Sequence, residues 1–172
     1  ADLSSNLNLY LCGKFAPFQQ ASQYHYAEGK PLGGPLPTLD LKAELAGARK
    51  MASLSKAGVL SAAIDLSAGG LVRAACRMAF AEFESGGKMP SLSLDTAVLG
   101  KGLADTLLLG ETAHCYLVAV SDVNAAALEK EKSAEFPVVK LGAIKPDGGK
   151  LTLGNTELQL NELYSAWAGG LK

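Results

Sequence analysis

Apolar and polar positions change their period several times along the chain, and each change marks an element. Leu7 to Cys12 (Leu-Asn-Leu-Tyr-Leu-Cys) alternates at its start and stops at Gly13, which predicts a strand. Phe15 to Tyr26 is aromatic and glutamine-rich. The Pro/Gly-rich stretch Glu28 to Thr38 that follows forbids regular structure, because proline fixes φ and removes a backbone donor. Too little chain precedes that stretch to fold alone, so it reads as a long loop inside one domain. Leu41, Leu45, Ala48, Ala52 and Ser55 then recur at helical spacing and predict a helix over Leu39 to Lys56, with Gly58 at its C-terminal end. Leu60 to Ile64 reads as a short buried strand. Leu71, Ala74, Ala75, Met78, Ala79 and Glu82 mark a second amphipathic helix over Leu71 to Phe83, closed by Gly86-Gly87.

The second half continues the alternation. Leu92-Ser-Leu and Leu107 to Leu109 are candidate strands or strand edges, and Tyr116 to Val120 is a clearer strand. Val123 to Ser133 has a helical pattern with Ser121 or Asp122 as its N-cap. Phe136 to Ile144 reads as a strand, Pro146-Asp-Gly-Gly as a tight turn, and Lys150 to Leu153 as the returning partner strand. Asn161 to Trp167 is a closing helix stopped by Gly169-Gly170. Strands interleaved with helices imply a mixed α/β, α+β class of layered domain. There is no internal repeat.

Composition narrows the class. The chain has 172 residues, 48% of them hydrophobic and 19% charged, enough for one domain with a sizeable core, and residues 1–172 are read as that single domain. A net charge of −1 argues against a general nucleic-acid binder, which needs a basic excess to contact phosphates. Cys12, Cys76 and Cys115 are odd in number and widely spaced, with no Cys/His cluster, so neither a zinc site nor a disulfide framework is indicated. A reducing cytoplasm is the simplest expected compartment. Apolar runs fall far short of a membrane span, and Ala-Asp-Leu-Ser-Ser-Asn at the start has no signal-peptide pattern. The lack of an initiator methionine, and a strand so close to the start, fit a processed chain or a fragment of a larger one.

Three segments could carry chemistry. In Ala63-Ile-Asp-Leu-Ser-Ala-Gly-Gly-Leu71 a buried strand runs into Asp65 and Ser67, and glycines then open a helix. The free N–H groups of a first helical turn bind anions readily. Gly69 and Gly70 would admit a phosphate or a neighbouring backbone, and Asp65 could hold a cation or hydroxyl. The more common arrangement is that Asp65 or Ser67 caps the helix while the glycines make the turn. In the second segment, Gly110-Glu111-Thr112 lies between apolar runs, where a turn presents Glu111 either to a substrate or to solvent. His114 beside Cys115 has no partner at metal-ligand spacing. In the third, Gln19 to Tyr26, the aromatics Tyr24, His25 and Tyr26 could stack on a base or anchor an interface, and His25 could act as an acid or base. Gly100-Lys-Gly lacks the frame of a phosphate loop, and no catalytic triad can be assigned.

Taken in order, these segments resemble the C-terminal domain shared by aminoimidazole ribonucleotide synthetase and its relatives. That family's pattern is a Gly-Gly-Ser-Glu-Tyr-like loop, a helix, an Asp-Val-Ser-Asp-Gly-Gly-Leu element, a Gly-Glu-Ser turn and a closing Asp-Glu-Leu-x-x-x-Trp helix. The matching stretches are Gln20 to Tyr24, Asp65 to Leu71, Gly110 to Thr112 and Asn161 to Trp167, within a resemblance that runs from about Leu7 to Leu171. Within the superfamily the arrangement is most similar to the second repeat of the formylglycinamidine ribonucleotide synthetases. That resemblance implies a three-layer domain with a curved mixed sheet. It implies a domain of an ATP- and glutamine-dependent amidine-forming ligase of purine biosynthesis, inactive in isolation. It also implies ATP and magnesium in the full-length enzyme, held mostly by an N-terminal half, and a glutaminase domain or subunit as a second partner. Neither nucleic acid nor membrane is expected as a partner.

Two departures qualify the resemblance. Ala68 stands where the family's element has its second aspartate, and Gln23 where the loop has a glutamate. Both remove negative charge from the site. The implied role is therefore a nucleotide or phosphate cleft lined by Asp65, Ser67, Gly69, Gly70 and Glu111, with Ser22 and Tyr24 as a substrate loop. No catalytic residue and no metal ligand is expected. Sibling families remain open, namely aminoimidazole ribonucleotide synthetase itself, selenophosphate synthetase, thiamine-phosphate kinase and the hydrogenase-maturation proteins. A catalytically silent scaffolding module is the alternative from another class.

Overall fold

The alternating pattern at the start of the chain becomes the centre of a sheet. The structure, a computed structural model, describes residues 3–31 and 33–170. Leu32 of the expected Pro/Gly loop, Leu171 at the far end of the expected resemblance, and the first two residues lie outside the described residues. Strand β1 (Leu7–Gly13) is buried at every position because β4 (Cys115–Val120) and β5 (Val138–Gly148) pair with it on either side. Side chains on a strand alternate between faces. Leu7, Leu9 and Leu11 accordingly enter one core with helix α3 (Gly70–Glu84), and Tyr10 and Cys12 enter a second core with helix α2 (Leu41–Lys56). Two polar side chains of β1 on this second face find partners. Tyr10 Oη donates to Glu129 (2.7 Å), and Asn8 Nδ2 donates to Asp122 (2.6 Å), both on helix α5 (Asp122–Glu129).

The remaining elements complete three layers. Helix α1 (Gln23–Ala27) precedes α2, β2 (Ala62–Asp65) precedes α3, and β3 (Pro90–Leu94) leads through a 3₁₀ turn, Thr96–Leu99, to helix α4 (Ala104–Leu109). Strands β6 (Lys150–Leu153) and β7 (Thr156–Gln159) come before the closing helix α6 (Leu160–Gly169). The seven strands run in the order β2-β4-β1-β5-β3-β6-β7 and pair antiparallel throughout, save for β3 with β6. Helices α3 and α6 cover one face, while α2 and α5 cover the other. This is a mixed α/β fold with an open mixed sheet.

Local chemistry explains the helix boundaries. Asp40 caps α2 by accepting from the N–H groups of Lys42 and Ala43, so the helix starts two residues later than its apolar spacing implies. Gly58, at φ +70°, ends it in the left-handed region where glycine costs least.

Four expectations are corrected by the structure. Leu107 to Leu109 is the end of helix α4, not a strand; Leu107 and Leu108 pack on the α3-side core, and three apolar residues in a row do not distinguish strand from helix. The helix expected over Val123 to Ser133 ends at Glu129, because the chain turns at Ser133, whose Oγ accepts from Phe136 N–H at 3.1 Å. The turn expected at Pro146-Asp-Gly-Gly moves to Gly148 and Gly149: β5 runs on to Gly148, and Pro146 and Asp147 fall where the β3–β5 register shifts, a bulge that needs no proline N–H. Finally, β6 is not the partner of β5. Both edges of β5 are taken, one by β1 and one by β3, so β6 crosses to the far side of β3 and forms its hairpin with β7. The β3–β5 approach requires Gly142, where a Cβ would lie 1.8 Å from Ser93 O.

Candidate functional site

The segment after β2 is held by backbone hydrogen bonds before any side chain acts. Buried Leu66 donates its N–H to Cys115 O and accepts from Thr112 N–H, both at 3.0 Å. The chain then turns through Ser67, whose carbonyl accepts from Gly70 N–H at 3.0 Å. Gly69 (φ +75°) and Gly70 (φ +65°) open α3, and no side chain caps it. Neither Asp65 nor Ser67 is the cap. At Gly70 a Cβ would stand 2.4 Å from Gly110 O and 2.8 Å from Leu109 C, so this glycine lets the α4–β4 turn come against the helix start.

That turn is itself a junction. Glu111 exchanges both backbone hydrogen bonds with Phe18, at 2.9 and 2.8 Å. Buried Thr112 accepts at Oγ1 from Ala16 N–H (3.2 Å) and donates to Ala113 O (3.2 Å). The Glu111 side chain reaches the ends of two helices. Its Oε1 accepts from Gln23 N–H (2.8 Å) in the first turn of α1 and from Gly69 N–H (3.3 Å) at the start of α3. The carboxylate thus fills the place an anion would take at these helix N-termini. Ser22 is buried and caps α1, accepting from His25 N–H at 3.2 Å. Tyr24 Oη donates to Asp105 (2.9 Å), and Lys30 lies 5.1 Å over its ring. The Asp105 hydrogen bond raises the Tyr24 phenol above its ordinary pKa.

The structure brings Ser22, Gly69, Gly70 and Glu111 together, with Tyr24 one residue from the contact. Ser67 and Glu111 line one cavity of about 350 Å³ with Phe18, Leu36 and Leu39. Asp65 is separate. It is exposed and borders another cavity of about 530 Å³ with Met51, Ser55 and Tyr116. Burial, and then the carboxylates of Glu44 and Asp65, push the Tyr116 phenol up. His114 adopts φ +57°, and its Nε2 lies 2.8 Å from Glu44 Oε1, an ion pair when the imidazole is protonated. Among the described residues no group of three His, Cys, Asp or Glu side chains could hold a metal ion. Burial pushes the thiols of Cys12 and Cys115 up to about 12 and that of Cys76 to about 11, which removes them as nucleophiles near neutral pH.

The roles of four residues were not legible in the sequence. Gln23 acts through its backbone N–H, which no side-chain pattern reveals. Thr112 acts as a buried knot within the Gly-Glu-Thr turn. Arg77 and Trp167 face each other between α3 and α6, with the guanidinium carbon 4.4 Å from the ring centroid. The available signal was a charged residue among the small apolar positions of α3. The arrangement can hold backbone segments in register and offer cavities. Among the described residues the junction itself contains no nucleophile hydrogen-bonded to a base.

Comparison with known proteins places this geometry. The family described as AIR synthase related protein, C-terminal domain, matches residues 24–154. The phosphoribosylformylglycinamidine synthase subunit PurL of Anaeromyxobacter sp. (strain K) is 34% identical over 156 residues, a match spanning 87% of this chain and 20% of that protein. The structure of Thermotoga maritima PurL complexed with FGAR superposes with a TM-score of 0.68 at 14% identity, covering 91% of this chain and 27% of that one. Thiamine-monophosphate kinase from Stenotrophomonas maltophilia K279a gives a TM-score of 0.53 at 17% identity, covering 90% and 51%. These structural likenesses show the fold. The chain spans about a fifth of the length of the curated relatives it matches.

Proposed function

The chain belongs to the AIR synthase related protein, C-terminal domain family, and from that premise we propose that it is the PurL-like domain of an ATP- and glutamine-dependent phosphoribosylformylglycinamidine synthase. In this reading it contributes a nucleotide or phosphate cleft and leaves the chemical step to another part of the enzyme. One observation carries the cleft: segments as distant as Gln23, Gly69 and Glu111 meet at a single carboxylate, bordering a cavity that also takes in Ser67. T. maritima PurL has been solved with ADP and with ATP, which supports ATP as the cofactor of the assembled enzyme, and magnesium is proposed alongside it. The proposed partners are an N-terminal ATP-binding half and a glutaminase, in keeping with the solved PurLQS structure of T. maritima. Among the described residues no helix is long and apolar enough to cross a membrane, and a cytoplasmic location is proposed with the rest. Positioning and electrostatic stabilisation would supply most of the rate in the assembled enzyme.

A second reading, a silent scaffolding module, is favoured by two observations. Glu111 already occupies the helix N-termini where a phosphate would sit, and Ala68 contributes no ligand. Calorimetric titration with ADP separates the two. Glu111→Gln keeps an acceptor for Gln23 and Gly69 but removes the repelling charge, so ADP binding is expected to tighten several-fold. Equal affinity in both proteins would remove this cleft from the nucleotide's path, and no binding by either at millimolar ADP would favour the scaffold.

A further inference from the structure

We propose that the groove between α1, α3 and α6 is a second ligand site, taking a small organic anion with a flat apolar body and a carboxylate or phosphate that docks on Arg77. The groove is a cavity of about 360 Å³, near the lower end of the volumes that hold small molecules. Gln23, Tyr24 and Gly69 line it too, so it adjoins the Glu111 junction, but it shares no lining residue with the cavity of Ser67 and Glu111, and Arg77 carries it beyond the cleft proposed above.

One donor at the groove wall is unsatisfied. Arg77 lines this groove and also a cavity of about 400 Å³ beside Ser55 and Ile64; its Nη1 is buried without a hydrogen-bond partner, and a buried guanidinium N–H without an acceptor is costly. The ring of Trp167, 4.4 Å from the guanidinium carbon, holds the group in place through its π face without supplying that acceptor. Arg73, one turn earlier on α3, is fixed by a hydrogen bond from Nη1 to Ala68 O (2.9 Å). Among the described residues neither arginine forms an ion pair. The other charges near the groove are Lys30 over the Tyr24 ring, Asp105 bonded to Tyr24, Glu28 whose charge also acts on the Tyr24 phenol, and Glu111 bonded to Gln23 and Gly69. Three cations thus stand against three carboxylates, of which Asp105 and Glu111 already have donors. The remaining wall is apolar, including Val72, Phe80, Leu109 and Leu163. A planar carboxylate or a phosphate matches the fork of a guanidinium, and the apolar wall matches a flat organic body.

Trp167 is the sole tryptophan, so its emission reports on the site directly. The 172-residue chain is titrated with benzoate and phenyl phosphate, with inorganic phosphate as charge without body and benzyl alcohol as body without charge. Both aromatic anions are expected to shift the emission saturably, and both controls to bind about tenfold more weakly or less, since each lacks half of the recognition. The ranking of benzoate against phenyl phosphate identifies which anion the site prefers. Arg77→Met, which keeps the stem, is expected to weaken binding by about tenfold or more through loss of the charge-assisted contact. Equal binding by Arg77→Met, benzyl alcohol as tight as phenyl phosphate, or no saturable response would each overturn the proposal. If circular dichroism shows Arg77→Met unfolded, Arg73→Met and the salt dependence of wild-type binding take its place; affinity independent of salt would then overturn it.

Discussion

Gly69 and Gly70 are adjacent and both left-handed, yet they do different work. A Cβ at Gly70 would meet Gly110 O at 2.4 Å and the Leu109 carbonyl carbon at 2.8 Å, and neither backbone atom can give way without moving the α4–β4 turn. A Cβ at Gly69 would meet Arg73 Cδ at 2.5 Å, which can swing aside by giving up the bond to Ala68 O, and Arg73 Cβ at 3.0 Å, a milder contact than a backbone clash. Each alanine pays the left-handed penalty of about 1–2 kcal/mol, but only Gly70→Ala adds a backbone clash, for a total of about 3–4 kcal/mol. Urea denaturation should therefore rank Gly70→Ala as the larger loss, and equal losses would mean the turn is more pliable than its packing implies. The sequence left open whether these glycines admit a phosphate or a neighbouring backbone, and at Gly70 the structure puts a backbone there. Asp65 is the opposite case. Its position two residues before Ser67 invited grouping the two in one cleft. The strand's alternation instead turns Asp65 to one side and Leu66 into the α3-side core, and the bend at Ser67 then leads the chain into a different cavity.

Elements with a long, regular period were legible, and elements defined by their neighbours were not. Helices α2 and α3 follow from apolar spacing, and β1 from alternation. The order of strands does not, because a local turn signal at Gly148-Gly149 says nothing about whether β3 has already claimed the edge of β5. Strand β7 went unread although Gly154-Asn155 is a two-residue hairpin signal. Its side chains are mostly exposed, so no alternating apolar pattern marked it. Helix α6 was legible as a helix, but its anchor was not. Phe80 of α3 is 2% exposed and contacts Tyr164 edge-on at 5.2 Å and Trp167 at 5.6 Å, while Phe83 meets Tyr164 from the next turn. Truncation by Phe80→Ala should cost about 3–5 kcal/mol through the lost burial and the cavity left behind. It should also expose Trp167 to water, seen as a red shift of its emission in the still-folded protein. A folded variant with unchanged emission would show that α6 is held by Leu160 and Leu163 instead.

At the scale of the whole molecule, one sheet carries two cores, and the thiols sample both. Cys12 belongs to the α2-side core, whereas Cys76 and Cys115 belong to the α3-side core. Burial raises Cys12 and Cys115 from 9.0 to about 12, and Cys76 to about 11. A thiol whose folded pKa lies above its unfolded value favours the folded state fully below the unfolded pKa. That contribution is lost as pH rises through the folded pKa, because the unfolded chain releases the proton first. The thermal midpoint should therefore decline from pH 9 towards 12 on account of these groups. The slope is common to all three cysteines only if the cores melt together, as a single domain does. Cys12→Ala, on one face, and Cys76→Ala, on the other, should each flatten the decline of a single shared transition. Two transitions, each flattened by only one of the variants, would instead show that the faces of the sheet unfold independently. The central strand argues for one transition, because β1 places Leu9 and Leu11 in one core and Tyr10 and Cys12 in the other, so neither core can open without releasing the strand that builds both.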